Sequence, residues 1–410
     1  MKILVYTSPA KGHVYPIVPT LLELRNRGHQ IIIRTLASEV EMLKELGFVA
    51  SPISPLIEAR EMDDWRGKNQ LQQLQLALTT FVDRAEFEVP DLMVAIREEH
   101  PDILLVDVNS WGAQACAEAS GITWTVYAPY PLPLPSKYAP PFGLGLKPMG
   151  SILGRLRDNS LQSISLLSWN RVLPQLNKVR GVAGAMPLKS VMDLFGRAPM
   201  TLAYTAEPFE YPHPDWPTTI KLVGPSNWEP AGQVPTWIQS LQQPVVLVTT
   251  STEYQHDSRL LQVTLDALTD EPVTVVGTFP TISSTGIRIP SNAHVEAFIP
   301  HGPILKLAVC VVCHGGMGIT QKALSAGVPV CAVPFGRDQP EVARRVEVAR
   351  AGTRLSASKL NPTRLRAKVL EAMTMRVGAA RIAKAFSDAG GGIAAAAALE
   401  ELTLKKMPVV

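Results

Sequence analysis

Unbroken apolar runs alternate with helix-forming segments in this chain, and the series is laid down twice. "KILVYT" passes through a turn bearing Gly and Pro to the helix-like "PIVPTLLELRNRG" and on to "QIIIRT", a strand–loop–helix–strand unit. "DILLVDV", the helix-like "WGAQACAEASG" and "TWTVYA" extend it. Strands read as continuous β-branched runs, without polar alternation, when helices cover both faces of a parallel sheet. The pattern predicts a doubly wound α/β layer, with longer helices over residues 52–100. The alternation begins again at "PVVLVTT", residues 244–250, and continues through "PVTVVGT", "AHVEAF", "AVCVVCH" and "PVCAVPF". Two similar α/β units therefore follow one another.

Proline marks the joints. Residues 129–148, "PYPLPLPSKYAPPFGLGLKP", cannot form a central strand or a long helix, and a long irregular segment in a compact domain is usually functional or mobile. A second Pro-rich passage precedes residue 244. These signals divide the chain into a first unit over 1–225, a linker at 226–236, a second unit over 237–392, and a C-terminal helix and tail over 393–410, where "GGGIAAAAALEEL" is strongly helical. A length of 410 residues with 46% hydrophobic content suffices for two cores. The net charge of +3 is spread among mixed signs, so the basic stripe that nucleic-acid binding needs is missing. The opening apolar run is interrupted by Ser8, Pro9, Lys11 and Gly12, too early for a signal-peptide core, and no stretch approaches the roughly 18 apolar residues of a membrane span. A cytoplasmic protein that does not span a membrane is the expectation. Cys310 and Cys313 form a CxxC, but inside an apolar run with no second ligand pair they read as buried strand residues.

Chemistry is expected where strands end. After "AVCVVC" come His314, Gly315, Gly316 and Gly318, and then the helix-like "ITQKALSAG". A helix N-terminus offers unpaired N–H groups and partial positive charge, and glycines let an anion approach the backbone closely, so this turn suits phosphate. Tight strand–helix packing also uses glycine, and His314 equally fits a core histidine bonded to backbone. His13, just after the first strand, lies at the carboxyl edge where α/β sheets bind ligands. Its near-neutral pKa suits it to proton removal. Asp107 ends "DILLVD", within reach of an orienting or helix-capping role. "AKGHVYP" lacks the GxGxxG of nicotinamide-binding units.

"FIPHGPILKLAVCVVCHGGMG", followed by "GVPVCAVPFGRDQ", resembles the donor-binding signature of the GT-B nucleotide-sugar glycosyltransferases, the inverting family that includes plant UDP-sugar transferases and bacterial macrolide and antibiotic transferases. "GHVYP" is similar to that family's GHxxP, so the resemblance spans both units in order. It implies two Rossmann-like domains facing across a cleft. His314 corresponds to the histidine on the donor β-phosphate, with Gly315, Gly316 and Gly318 around the pyrophosphate. Phe298 falls where a tryptophan commonly stacks on the nucleobase, and Ile299 would offer backbone groups to the base edge. Asp338 and Gln339 match the pair that bonds the transferred sugar, and Ser251 and Thr252 match a phosphate-contacting turn. Two residues depart from the pattern. Ile319 stands where many members carry Ser or Thr, which moves that contact to Thr320 or removes it. Lys322 stands where many carry a ribose-gripping glutamate, and an ammonium cannot accept from hydroxyls.

By the same resemblance His13 is the general base and Asp107 its orienting carboxylate. No acidic pair accompanies the phosphate turn, so no metal or other cofactor is expected. The acceptor pocket is expected from Met62–Trp65, Phe81–Phe87 and Tyr130–Phe142, with Trp65, Phe81, Tyr130 and Phe142 as its aromatic contacts. The predicted activity is inverting transfer of a hexose from a UDP- or dTDP-sugar to a small, fairly apolar acceptor. The alternatives are another GT-B activity, such as sugar-nucleotide epimerisation or lipid-linked transfer, and a non-catalytic nucleotide-sugar-binding partner.

Overall fold

The computed structural model describes residues 1–251, 255, 257–279 and 286–404. The first apolar series builds a sheet of β1 (Lys2–Tyr6), β2 (Gln30–Thr35), β3 (Val49–Pro52), β4 (Ile103–Asp107), β5 (Thr123–Ala128), β6 (Thr201–Ala203) and β7 (Ile220–Leu222), in the spatial order β3-β2-β1-β4-β5-β6-β7. The second builds a sheet of β8 (Val245–Thr249), β9 (Thr274–Thr278), β10 (Ala293–Glu296), β11 (Ala308–Cys313), β12 (Val330–Ala332) and β13 (Gly352–Arg354), in the order β10-β9-β8-β11-β12-β13. Every neighbouring pair is parallel.

Successive residues of a strand face opposite ways, and here both ways are core. Ile3, Val5, Ile103 and Leu105 pack with Leu21 and Leu24 on one side of the first sheet. Leu4, Leu104 and Val106 pack with Leu78, Val82 and Val89 on the other. Those last three belong to a 30-residue helix, Gln70–Glu99, started by the Asn69 side chain accepting the Gln72 N–H at 3.0 Å. Cys310 and Cys313 are buried free thiols on β11, as their apolar setting predicts.

In the first sheet β1 lies between β2 and β4, and in the second β8 lies between β9 and β11. The connections leave in opposite directions at these points, which opens a crevice at the carboxyl edge. The two crevices face each other across one cleft of about 1270 Å³.

Segments remote in sequence join the halves. The Pro-rich stretch 129–151 contains neither helix nor strand, yet it is anchored. Glu341, on the helix Gln339–Val348 of the second half, accepts the Gly143 and Gly145 N–H groups at 3.0 and 2.7 Å. Arg344 on the same helix donates to the Gly145 carbonyl at 2.8 Å. Behind it Arg345 pairs with buried Glu210 at 2.6 Å and Glu341 at 3.0 Å. The C-terminal helix Gly391–Leu404 crosses back, and its Ala395, Ala396 and Leu399 complete the first-sheet core beside Val18 and Leu21. Four short strands, β3, β6, β7 and β13, are not legible in the apolar patterning, because three or four residues at the outer part of a sheet carry too little of it. No helix among the described residues is long and apolar enough to cross a membrane.

Candidate functional site

β1 ends at Tyr6, and the chain turns into the short helix Lys11–Val14, which lifts His13 over the end of β4. There Asp107, fully buried, meets the ring: His13 Nδ1 lies 3.0 and 2.8 Å from its two carboxylate oxygens. The Asn109 N–H donates to the same carboxylate at 2.7 Å, and the Tyr127 hydroxyl donates to the His13 carbonyl at 3.2 Å. A carboxylate has no hydrogen to give, so Nδ1 carries the proton and Nε2 the lone pair. His13 lines the cleft and Asp107 stands behind it.

On the facing side β11 ends at Cys313, and His314, Gly315 and Gly316 lead into the helix Met317–Ser325. The glycines have separate reasons. Gly315 has φ +84°, a left-handed conformation that favours glycine, while a Cβ on Gly316 would fall 2.2 Å from His314 Nε2. His314, Gly316 and Gly318 line the cleft at the helix N-terminus. Burial first, and then the Arg337 guanidinium, lowers the His314 pKa to about 4. The imidazole is therefore neutral at pH 7 and acts as a hydrogen-bonding group. Among the described residues its buried Nδ1 has no hydrogen-bond partner, the Asp257 carboxylate standing 4.0 Å away.

The other donor-side residues divide into those that face the cleft and those that do not. Ser251 lines it, with its N–H on Asp257 at 2.5 Å and its hydroxyl accepting from Gln255 at 2.9 Å. Thr252 lies outside the described residues. Asp338 lines the cleft, and burial raises its pKa. Gln339 also borders it but is occupied internally: its carbonyl oxygen accepts the Phe335 and Gly336 N–H groups at 2.8 and 3.2 Å, and its amide nitrogen donates to Gln255. Phe298 is 53% exposed, lies against the linker at Gly232, and is not among the cleft-lining residues. Ile299 is fully buried in the core of the second half. Trp65, Phe81, Tyr130 and Phe142 all line the first-half wall, with Phe81 against Trp111 at 5.4 Å and Tyr130 edge-on to His13 at 5.8 Å. Phe87 instead lies under Arg60 at 5.1 Å, away from that wall.

Several contacts around the cleft carry no signal in the sequence. Lys322 reaches Glu229 of the linker at 3.1 Å, and the same carboxylate accepts the His301 and Gly302 N–H groups at 3.1 and 2.9 Å. His301 lines the cleft with its pKa lowered to about 4, by burial first and then by Lys322. Arg337 spans the cleft to Asp64 at 3.0 Å. Trp228, edge-on to Tyr15 at 5.2 Å, closes the linker side. These pairings join positions tens to hundreds of residues apart, which periodicity and local motifs do not register.

Comparison with known proteins adds independent findings. Residues 262–397 match the family described as Erythromycin biosynthesis protein CIII-like, C-terminal domain. The 4'-demethylrebeccamycin synthase of Lentzea aerocolonigenes is 31% identical over 93% of this chain and 94% of its own. The fold matches the crystal structure of the glycotransferase of kitacinnamycin with a TM-score of 0.77 at 22% identity, covering 98% of each chain. It also matches the glycosyltransferase VinC, solved in complex with dTDP, with a TM-score of 0.70 at 19% identity over 99% of this chain and all of that one.

Proposed function

The chain belongs to the GT-B, family 1-type antibiotic glycosyltransferases, and from that premise we propose that it transfers a hexose from a UDP- or dTDP-sugar to a small, fairly apolar acceptor with inversion. The observation that carries this reading is His13, backed by Asp107, facing the His314 turn across one cleft. An acceptor bound along Trp65, Phe81, Tyr130 and Phe142 brings its nucleophilic atom to Nε2. His13 takes the acceptor's proton there as the nucleophile attacks the anomeric carbon from the side opposite the diphosphate. The carbon–oxygen bond to the diphosphate breaks, its electron pair leaves with the nucleoside diphosphate, and the new glycosidic bond has the opposite configuration. Asp107 stabilises the imidazolium formed on the way.

The departing diphosphate is assigned to the N-terminus of the helix Met317–Ser325, to His314 as a neutral donor and to the Ser251 turn. Asp338 does not cap the helix that it starts and lines the cleft, where its carboxylate can accept from a sugar hydroxyl, whereas Gln339 has to exchange partners to reach one. Because these groups supply the stabilisation, activity is expected to persist in excess chelator. Loss on chelation with recovery on Mg²⁺ or Mn²⁺ would overturn the assignment. Mechanism is tested by incubating the enzyme with an α-linked UDP- or dTDP-hexose and an aromatic alcohol. A β-linked product by NMR is expected, and an α-linked product would rule out single displacement.

A further inference from the structure

The ring nitrogen that is to accept the proton already has a neighbour. Asn109 Nδ2 lies 3.3 Å from His13 Nε2, and Asn109 Oδ1 lies 2.7 Å from the Tyr130 hydroxyl. Asn109 is held from below by its own N–H on Asp107, and both Asn109 and Tyr130 line the cleft. The row Tyr130–Asn109–His13–Asp107 is consistent in two settings. With neutral His13, the phenol donates to the amide oxygen, the amide N–H donates to Nε2, and Nδ1–H donates to Asp107. With protonated His13, the amide turned over accepts from Nε2–H and donates to the phenol oxygen, which can do either. We propose that Asn109, set by Tyr130, is a positioning residue that serves His13 in both protonation states: it donates to Nε2 in the resting protein, yields that lone pair to the acceptor's hydroxyl, and accepts from Nε2–H once the product has left.

This inference rests on His13 being the base. Hydrogen bonds to an ionised group are roughly twice as strong as neutral ones, so the amide favours the imidazolium over the free imidazole. Burial keeps the Tyr130 phenol protonated, so it remains available as donor or acceptor. The other titratable groups facing His13 are Asp107 at the end of β4, Tyr127 on β5, and Asp338 at the start of the helix Gln339–Val348, near enough for its own titration to sense His13. None of them changes in the variants below.

The test follows the His13 ring by ¹⁵N NMR in the free protein, its signal identified by loss in His13→Gln, together with the acid limb of kcat/KM. Asn109→Leu, close in size and unable to hydrogen-bond, should lower the His13 pKa by about half a unit to one unit and lower kcat about tenfold. Asn109→Asp should raise the pKa by at least about one unit and move the acid limb with it. Tyr130→Phe should move the pKa in the direction of the Leu variant, by less. Binding of a nucleoside diphosphate should stay within about twofold in the Asn109 variants, which separates positioning from damage to the donor site. A His13 pKa unmoved or raised in Asn109→Leu overturns the proposal. Full turnover in His13→Ala would instead remove the base assignment on which it rests, a distinct outcome.

Discussion

At the scale of single residues, His13 and Lys322 carry the sharpest expectations. His13→Ala should lower turnover by about 10²–10⁴, the range for losing a general base, with diphosphate affinity kept because His314 and its helix stand on the other wall. Asp107→Asn should cost less, since the imidazole keeps a partner and loses only its counter-charge; an unchanged rate and pH profile would make Asp107 structural. At the nucleotide end Lys322, held by Glu229, has only donors and offers no acceptor to ribose hydroxyls. UDP and dTDP should therefore bind within about tenfold of one another, roughly 1.4 kcal/mol, in calorimetric titrations. A preference for UDP beyond a hundredfold would place a 2′-hydroxyl reader elsewhere in the site.

At the scale of elements, the turn before the helix Met317–Ser325 was legible from its residues because strand, glycines and helix are contiguous, and the GHxxP turn after β1 was legible for the same reason. What those turns do electrostatically depends on burial, and burial has a measurable consequence. His314 and His301 titrate near pH 4 in the fold and near 6.5 when unfolded, so the unfolded chain binds more protons as pH falls below 6.5. Their contribution to stability is fully present above pH 6.5 and declines until about pH 4, by roughly 3 kcal/mol each at most. Glu88, buried under the Gly112 and Ala113 N–H groups with its pKa raised to about 8, has the opposite sign, since the fold retains its proton while the unfolded chain has lost it. The histidine effect is therefore isolated as the difference between wild type and His314→Gln in denaturant titrations at pH 7 and pH 5. The variant should lose less stability on acidification. Equal losses would mean that His314 is solvated in the native protein.

At the scale of the whole molecule, the two sheets are joined by buried charge as well as by chain. Arg345 pairs with Glu210 and Glu341, and its guanidinium lies over the Tyr211 ring at 4.3 Å. Removing one partner of a buried pair leaves an uncompensated charge, so Arg345→Ala should destabilise the protein by about 3–5 kcal/mol, read from denaturant unfolding. A loss under 1 kcal/mol would show water reaching Glu210. The layering of two parallel sheets, the strand ends at which His13, Asp107, Ser251 and His314 stand, and the aromatic composition of the first-half wall were legible residue by residue. Apolar runs, glycine turns and short motifs are properties of neighbouring residues, and they survive reading one segment at a time. Packing alone brings Asn109 and Tyr130 to His13, Glu229 to Lys322, Arg337 to Asp64, Phe298 against the linker at Gly232 and the last helix onto the first core. Each of those depends on which way a side chain points once distant segments are packed together, and on chain closure over long separations, which no local periodicity records.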